Sequence, residues 1–318
     1  MAALADRPSS ETVDLRSIDA DALAPVLAEQ IESWKTELDW DFNPSANLVR
    51  RFVQIHALAG SALVSRNQVI GYSYYVCEDG KGLIGDLYVL KQHRSPEHEY
   101  ALFQSSLDAM WQTPGVHRVE SQLLMLMDAG QRQVPHKSWF HSFPRFFLEA
   151  PLSVRLPPRK LSSSIALVPW TESWQEATGR LIAGAYQNHI DSQINDQYRS
   201  PMGARRFLTN IVQYPGCGSF FAPASFAATS DGVLCGASLA SLVAADVGHI
   251  TQVCVAPSYQ GTGLGYELMR RSMEALASHA CRAVSLTVTE ANDSALRLYR
   301  NMGFTSRRAF SAYVWEPR

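Results

Sequence analysis

The sequence lacks the features that mark disulfide-rich, zinc-binding and bulk nucleic-acid-binding proteins. Its five cysteines are odd in number, lie far apart and show no Cys-x-x-Cys or Cys/His ligand spacing. We therefore expect reduced thiols and no bound metal. With 28 basic and 30 acidic residues, the chain has no charge excess that would favour nucleic acid as a partner.

Signals for export or membrane insertion are equally scarce. The N-terminal residues form neither a basic n-region nor an apolar h-region. The longest apolar stretch, 234–247, is interrupted by serines and is too short to span a bilayer. These absences predict a cytoplasmic protein with no membrane partner. We expect a monomer or homodimer whose binding partner is small or local.

The length and composition predict two domains. The chain has 318 residues, and this length is more than one compact mixed domain usually needs. Its hydrophobic content of 46% is enough to form a core in each domain. The segment 150–164 is rich in proline and ends in three consecutive serines, as expected of a boundary. We therefore predict one domain over 1–155 and another over 160–318.

The two halves resemble each other in the order and spacing of their landmarks. Three pairs of positions lie 165, 166 and 165 residues apart: Gly71 and Gly236, Val89 and Val255, and Val119 and Val284. The spacing predicts a diverged tandem repeat, although unrelated α/β domains could share such a register by chance. The first strands, at Val13 and Ile165, are separated by fewer residues than these three pairs. The second half therefore contains about a dozen added residues after its first strand, around 185–207.

The second half alternates strand-like and helix-like patterns. Alternating apolar runs predict strands, and apolar residues at helical spacing predict helices. The predicted elements are strands at 225–229, 233–243 and 249–255, a helix from Gly265, a strand at 283–288 and a helix at 293–302. Asn292 is the predicted cap of the last helix and Gly303 its end. This pattern predicts an α/β (α+β) fold, a mixed and mostly antiparallel sheet flanked by helices.

A glycine-rich turn, Ala-Pro-Ser-Tyr-Gln-Gly-Thr-Gly-Leu-Gly at 256–265, joins a predicted strand to a predicted helix. Glycines let several backbone N–H groups converge on a ligand, and the unpaired amides and dipole of the helix favour negative charge. A diphosphate suits such a turn. A tight strand-to-helix connection also needs glycine for steric reasons, so the turn alone leaves both interpretations open.

This turn and the segment 289–304 together resemble the GNAT superfamily of N-acetyltransferases. The turn matches the Gln/Arg-x-x-Gly-x-Gly/Ala loop, and TEANDSALRLYRNMGF matches the Asn-x-x-Ala-x-x-x-Tyr-x-x-x-Gly-Phe helix. The resemblance covers about 165–318, and the first half resembles a degenerate copy, a tandem arrangement similar to mycothiol synthase. It implies an N-acetyltransferase that moves an acetyl or acyl group from acetyl-CoA, its co-substrate, to a primary amine of a small molecule or peptide, in a ternary complex.

The resemblance also implies which residues bind acetyl-CoA. Backbone groups of the strand would bind the pantetheine arm, and the turn would bind the diphosphate. Asn292 and Tyr299 are seven residues apart, share one helix face and would reach the same molecule. The implied cofactor-binding residues are Val253, Cys254, Val255, Gln260, Gly261, Thr262, Gly263, Leu264, Gly265, Asn292 and Tyr299.

Two side chains are predicted to be catalytic. Tyr299 is the predicted acid, because a thiolate leaves more easily when it is protonated. His249 is the predicted base, since strand alternation would place it on one face with Val253 and Val255. Both could instead be packing residues. Cys254 has the opposite parity, which argues against an acyl-cysteine intermediate.

The first half is predicted to have lost the site. At an offset of 166, Arg94 corresponds to Gln260, whereas Glu97 and Glu99 fall on Gly263 and Gly265 of the turn. Two carboxylates would then occupy the space that a diphosphate needs, and the conformational freedom of glycine would be lost as well.

The added residues, 185–207, are predicted to bind the acceptor. Their polar side chains suit a polar substrate, although a solvated loop would look similar. The predicted substrate residues are His189, Asp191, Tyr198 and Arg199. Two alternative functions stay open: a catalytically silent acyl-CoA sensor, and acetylation of a thiol-precursor amine as in mycothiol synthase.

Overall fold

The structure is a computed structural model that describes residues 10–126, 132–214 and 216–317. The strands are β1 (Ser10–Asp14), β2 (Gly60–Ser65), β3 (Gln68–Glu78), β4 (Lys81–Val89), β5 (Arg118–Gln122), β6 (Phe140–Pro151), β7 (Ile165–Pro169), β8 (Ser219–Phe220), β9 (Phe226–Ser230), β10 (Val233–Ala244), β11 (Val247–Val255), β12 (Ala283–Thr289) and β13 (Thr305–Trp315). The α-helices are α1 (Ala20–Leu38), α2 (Asn43–Gln54), α3 (Pro96–Trp111), α4 (Gln175–Ala185), α5 (Asp191–Ile194), α6 (Pro201–Gln213), α7 (Leu264–Ser278) and α8 (Asp293–Asn301).

The chain forms two compact units, each with a mixed and mostly antiparallel sheet, which confirms the predicted fold class. The first unit comprises 1–36, 42–143 and 310–318, and the second comprises 37–41 and 144–309. Neither unit is one continuous stretch of sequence. The division into domains at 1–155 and 160–318 therefore stays a prediction.

In the first unit the strand order is β1-β2-β3-β4-β5-β13, and only β4 and β5 are parallel. Helix α3 packs on β2, β3 and β4. Its Phe103 is fully buried against Trp315 of β13, with ring centroids 5.7 Å apart. The last strand of the chain thus completes the core of this unit.

In the second unit the strand order is β6-β12-β11-β10-β9-β7, with β8 also on β10, and only β11 and β12 are parallel. Alternate residues of β10 face different helices. Ser238 bonds Ser272 of α7 at 2.9 Å, whereas Ala237 and Leu239 pack with Ile182 of α4. Helices α7 and α4 therefore cover opposite faces of this sheet.

The predicted repeat is confirmed by the strand registers. Each predicted landmark occupies an equivalent position in the two units: Gly71 pairs with Val89 as Gly236 pairs with Val255, and Val119 pairs with Gly82 as Val284 pairs with Gly248. Equivalent pairing at an almost constant offset is what a duplicated β/α unit requires.

The predicted elements of the second half are confirmed to within a few residues. The added segment 185–207 is more ordered than a loop, because it contains α5, a 3-10 turn over Asp196–Arg199 and the first turns of α6. Among the residues that the structure describes, no helix combines the length and the apolarity needed to cross a membrane.

Candidate functional site

The parallel strands β11 and β12 pair over only part of their length. Val247 to Ile250 pair with Ala283 to Leu286, and both strands then continue without pairing with each other. A β-bulge marks the place where pairing stops. Gln252 pairs with Leu239 of β10 and Ile250 pairs with the next residue, so Thr251 is the extra residue. The two strands thus separate at their C-terminal ends.

Backbone groups of β11 point toward the side from which β12 has separated. The N–H of Ala256 donates to the Cys235 carbonyl of β10 at 2.8 Å. Hydrogen-bonding directions alternate along an antiparallel pair, so the N–H and C=O groups of Val255 and Val253 point away from β10. This is the side where an extended, amide-containing ligand could pair with the strand.

The glycine turn follows directly at the end of β11. Gly261 and Gly263 have φ angles of 76° and 90°, in the left-handed region that favours glycine. Gly263 is the N-cap of α7, and no side chain caps that helix. The N–H groups of the first helical turn therefore remain available to an anion.

The other predicted turn residues shape the turn. Thr262 Oγ1 donates to the Tyr259 carbonyl at 2.7 Å, and Gln260 Nε2 donates to the Val255 carbonyl at 3.2 Å. Leu264 is fully buried beneath the helix. A Cβ on Gly265 would stand 3.6 Å from the Val255 side chain, an ordinary van der Waals distance, so packing alone does not require glycine at this position.

Asn292 is the N-cap of α8, and Tyr299 lies within that helix. The Asn292 Oδ1 accepts the N–H of Ala295 at 3.2 Å, which confirms the predicted cap. Tyr299 is buried in the core cluster that contains Phe304 and packs against Val253 of β11. Burial, followed by the charge of Asp191, raises the pKa of the Tyr299 phenol. The phenol is protonated at neutral pH with or without this shift, so a proton is present for donation, from a weaker acid than an exposed tyrosine.

Asp191 of α5 lies close enough to Tyr299 to influence its ionisation. Thr289 Oγ1 donates to the Asp191 carboxylate, and His189 Nδ1 lies 3.6 Å from the other carboxylate oxygen. Arg145 Nη1 is 3.9 Å from Asp191 Oδ1, and its charge lowers the pKa of Tyr299. The carboxylate is thus partly shielded and partly open, and its side chain is 14% exposed.

Aromatic and amide groups extend this cluster along β11. The rings of Tyr186 and Tyr198 are 4.6 Å apart. Gln252 Nε2 donates to the Tyr186 oxygen at 3.1 Å, and the Tyr198 hydroxyl donates to Gln252 Oε1 at 3.4 Å. Arg199 instead donates through Nε to the Ser192 carbonyl at 2.8 Å, a contact between consecutive turns of the added segment.

Sequence reasoning missed Arg145, Tyr186 and Gln252. Gln252 carried a signal, since it is a polar residue in the middle of an apolar strand. No signal in the sequence pointed to Arg145, because this residue precedes the proline-rich segment and falls in the predicted first domain. Within the described residues, no group of three or more His, Cys, Asp or Glu side chains could hold a metal ion.

The parity argument for His249 is wrong, because the bulge at Thr251 reverses the alternation. His249 pairs with Ser241 and Val253 with Ser238, three residues apart on β10, so their side chains lie on opposite faces. The ring of His249 packs on Trp40, with centroids 5.1 Å apart, and its Nδ1 is 2.9 Å from the Ser285 hydroxyl. Its role as base stays a prediction that these contacts do not favour.

Replacing His249 by Gln is expected to make the protein less sensitive to acid. Burial lowers the pKa of His249 to about 3, so the unfolded chain gains a proton below pH 6.5 and the folded chain does not. The free energy of unfolding is therefore highest above pH 6.5 and decreases as the pH drops, by about 2 kcal/mol at pH 5. Urea unfolding at pH 7.5 and 5 measures this difference, with the exposed His279→Gln as control. An equal loss of stability between pH 7.5 and 5 in the wild type and in both variants would contradict this role of His249.

The equivalent turn of the first unit is two residues shorter. Helix α3 begins with Ser95 as N-cap, six residues after Val89, whereas Gly263 follows Val255 by eight. The Ser95 hydroxyl accepts the N–H of His98 at 3.2 Å. The predicted correspondence of two glutamates with two glycines is therefore wrong in register.

Those two glutamates lie in the first turn of α3 instead. Glu97 and Glu99 follow the Ser95 cap, and Glu99 pairs with Arg132. The start of this helix thus has its own cap and its own negative charges, and it lacks the paired glycines of α7. This arrangement supports the predicted loss of acetyl-CoA binding in the first half.

Comparisons with known proteins agree with this geometry. Residues 189–304 match the family model described as Acetyltransferase (GNAT) family. The chain is similar to a mycothiol acetyltransferase from Thermomonospora curvata, 40% identical over 87 residues, which are 27% of this chain and only 29% of that relative. The matched stretch thus spans less than a third of the relative's length.

Two solved structures are similar in fold. A GCN5-related N-acetyltransferase from Sphaerobacter thermophilus has a TM-score of 0.68 at 17% identity, covering 99% of this chain and 97% of that chain. A tandem GNAT protein from the clavulanic acid biosynthesis pathway has a TM-score of 0.60 at 16% identity, covering 98% and 100%. Residues 189–304 therefore match the GNAT acetyltransferase family, and the described chain has the fold of a tandem GNAT protein.

Proposed function

We propose that the second unit transfers an acetyl group from acetyl-CoA to a primary amine of a small molecule or peptide. One observation carries this proposal: β11 and β12 separate beside Tyr299, and the uncapped glycine turn starts α7 at the end of the same strand. One continuous region thereby contains a strand with outward backbone groups, a turn suited to an anion and a proton donor.

Acetyl-CoA would bind along β11. Its pantetheine amides would pair with the outward backbone groups of Val253 and Val255, whose carbonyls also accept hydrogen bonds from Tyr186 and Gln260. Its diphosphate would accept N–H groups from Gly261 to Gly265. The helix dipole of α7 adds favourable charge there, since no side chain already caps the helix.

The reaction would be direct attack of a neutral amine on the thioester. The new C–N bond forms, the C–S bond breaks, and the sulfur takes a proton as it leaves. Tyr299 supplies that proton in this proposal, because its phenol carries a proton at neutral pH and lies in the core cluster against which Val253 of β11 packs. A free thiol has a pKa of about 8.5, so protonation makes the sulfur a better leaving group near neutral pH.

The acceptor would lie beside Asp191, with Tyr186, Tyr198 and Gln252 as further polar contacts. A carboxylate in this position attracts the ammonium form of an amine before it loses its proton. Arg145 offers donors to an oxygen of the same molecule, since its Nε is buried and has no hydrogen-bond partner among the described residues. Amines that carry a neighbouring carbonyl or carboxylate suit this pair.

Asp191→Asn is expected to raise the acceptor KM about tenfold while the affinity for acetyl-CoA stays unchanged. The substitution removes the charge that attracts the amine and keeps an oxygen for Thr289. Steady-state kinetics with varied acceptor measure the effect, and calorimetry measures acetyl-CoA binding. Asp231→Asn, in an exposed turn, removes the same charge as a control. An unchanged acceptor KM would assign the added segment to a solvated surface.

The test of the proposed function is a screen that follows release of free CoA. Acceptors should include simple amines, polyamines, amino acids, peptides and, given the similarity to a mycothiol acetyltransferase, amines of thiol precursors. Calorimetry should find one acetyl-CoA per chain. Binding without turnover above background would indicate the acyl-CoA sensor instead, and absence of binding would contradict the proposal.

A further inference from the structure

The segment before β7 is fastened to the start of α7. Tyr266 Oη donates to the Pro157 carbonyl at 2.9 Å, and the N–H of Arg159 donates to Glu267 Oε2 at 3.1 Å. Tyr266 and Glu267 both lie in the first turn of α7. The backbone of the proline-rich segment is therefore held beside the glycine turn.

These bonds place the Arg159 side chain next to Gly263. Its guanidinium carbon lies 4.4 Å from the centroid of the Tyr266 ring, a cation–π distance. A Cβ built on Gly263 would stand 3.3 Å from Arg159 Cδ and 3.9 Å from Nη1. The cation thus lies beside the N-cap residue of α7, and Arg159 is exposed.

The charge of Arg159 is not neutralised by the described part of the protein. Its guanidinium forms no ion pair there, because the Glu267 carboxylate is bound by Arg270, whose Nε lies 3.0 Å from both oxygens. A cation at a helix N-terminus also faces the positive end of the helix dipole, which is unfavourable unless an anion lies between them. The arrangement is therefore suited to a bound anion.

The turn itself contains no cationic side chain. No lysine or arginine occurs between Ala256 and Gly265, and the neutral Gln260 uses its amide to bond the Val255 carbonyl. From this combination we infer that Arg159 binds the diphosphate of acetyl-CoA and supplies the positive charge that the turn lacks. This inference rests on the proposed acetyl-CoA site.

The test measures binding of three acyl donors to wild type and Arg159→Gln. Acetyl-CoA has a diphosphate and a 3′-phosphate, acetyl-dephospho-CoA lacks the 3′-phosphate, and S-acetylpantetheine lacks both. We expect Arg159→Gln to raise Kd about tenfold for the first two donors and to leave the third unchanged, because one charge-assisted contact is lost. The salt dependence of acetyl-CoA binding should also become shallower.

Arg155→Gln is the matched control, since Arg155 is exposed in the same segment and its loss changes the net charge equally. Thermal unfolding checks that Arg159→Gln leaves the fold intact. Equal affinities of wild type and Arg159→Gln for acetyl-CoA would overturn the inference. A defect confined to donors with the 3′-phosphate would overturn the assignment to the diphosphate. Failure of the wild type to bind acetyl-CoA would instead contradict the proposed function itself.

Discussion

Replacing Tyr299 by Phe is expected to lower kcat by about 100-fold while the Kd of acetyl-CoA changes less than about twofold. The ring keeps its packing against Phe304 within the buried cluster, so the core of the second unit is preserved. What is lost is the phenolic proton, which Tyr299 carries at neutral pH even at the ordinary pKa of a phenol, about 10. The departing thiolate would then have to take its proton from water.

Rapid-quench or steady-state kinetics with saturating acetyl-CoA measure kcat, and calorimetry measures Kd. Tyr313→Phe, a buried tyrosine of the first unit, removes a hydroxyl from a comparable environment and serves as control. A loss of affinity as large as the loss of kcat would mean that Tyr299 acts through packing. An unchanged kcat would remove it from the proposed mechanism.

Replacing Gly263 by Glu is expected to raise the Kd of acetyl-CoA at least 100-fold. The new carboxylate would lie at the N-cap of α7, where the diphosphate is proposed to bind, and would repel it. The left-handed φ of 90° adds a backbone cost of about 1–2 kcal/mol for any residue with a Cβ.

The backbone cost is separated from the charge effect by Gly232→Glu. Gly232 has a φ of 81° and no atom within 4 Å of a built Cβ, so it carries the same strain in an exposed turn. Both variants carry the backbone cost, but the carboxylate at 263 is also attracted by the start of α7 and by Arg159. The Gly263 variant should therefore lose no more stability in urea unfolding than the Gly232 variant, and it alone should lose binding. Unchanged affinity in that variant would place the diphosphate elsewhere.

Local features of the site could be predicted from the sequence. The cap by Asn292 and the left-handed glycines of the turn depend on residues close in sequence, so their side chains and spacing determine them. The repeat was visible because equivalent strands kept their spacing. These signals together carried the resemblance to the GNAT superfamily.

Features that depend on partner strands could not be predicted. The extra residue Thr251 is recognised only when β11 is aligned with β10, and without it His249 appeared to face the ligand. Arg145 reaches the cluster because β6 pairs with β12, a contact between positions more than a hundred residues apart. Neither composition nor periodicity encodes such pairings.

The bulge of β11 also bears on the history of the duplication. In the first unit Tyr74 pairs with Asp86 and Tyr75 with Ile84, so Gly85 is the extra residue, 166 positions before Thr251. Strands β4 and β5 likewise stop pairing at Ile84. The two units thus share the same bulge and the same end of parallel pairing, while the turn that follows β4 is two residues shorter. Two copies of one β/α unit can therefore differ in a surface connection and keep the same scaffold, because connections tolerate changes in length that paired strands do not.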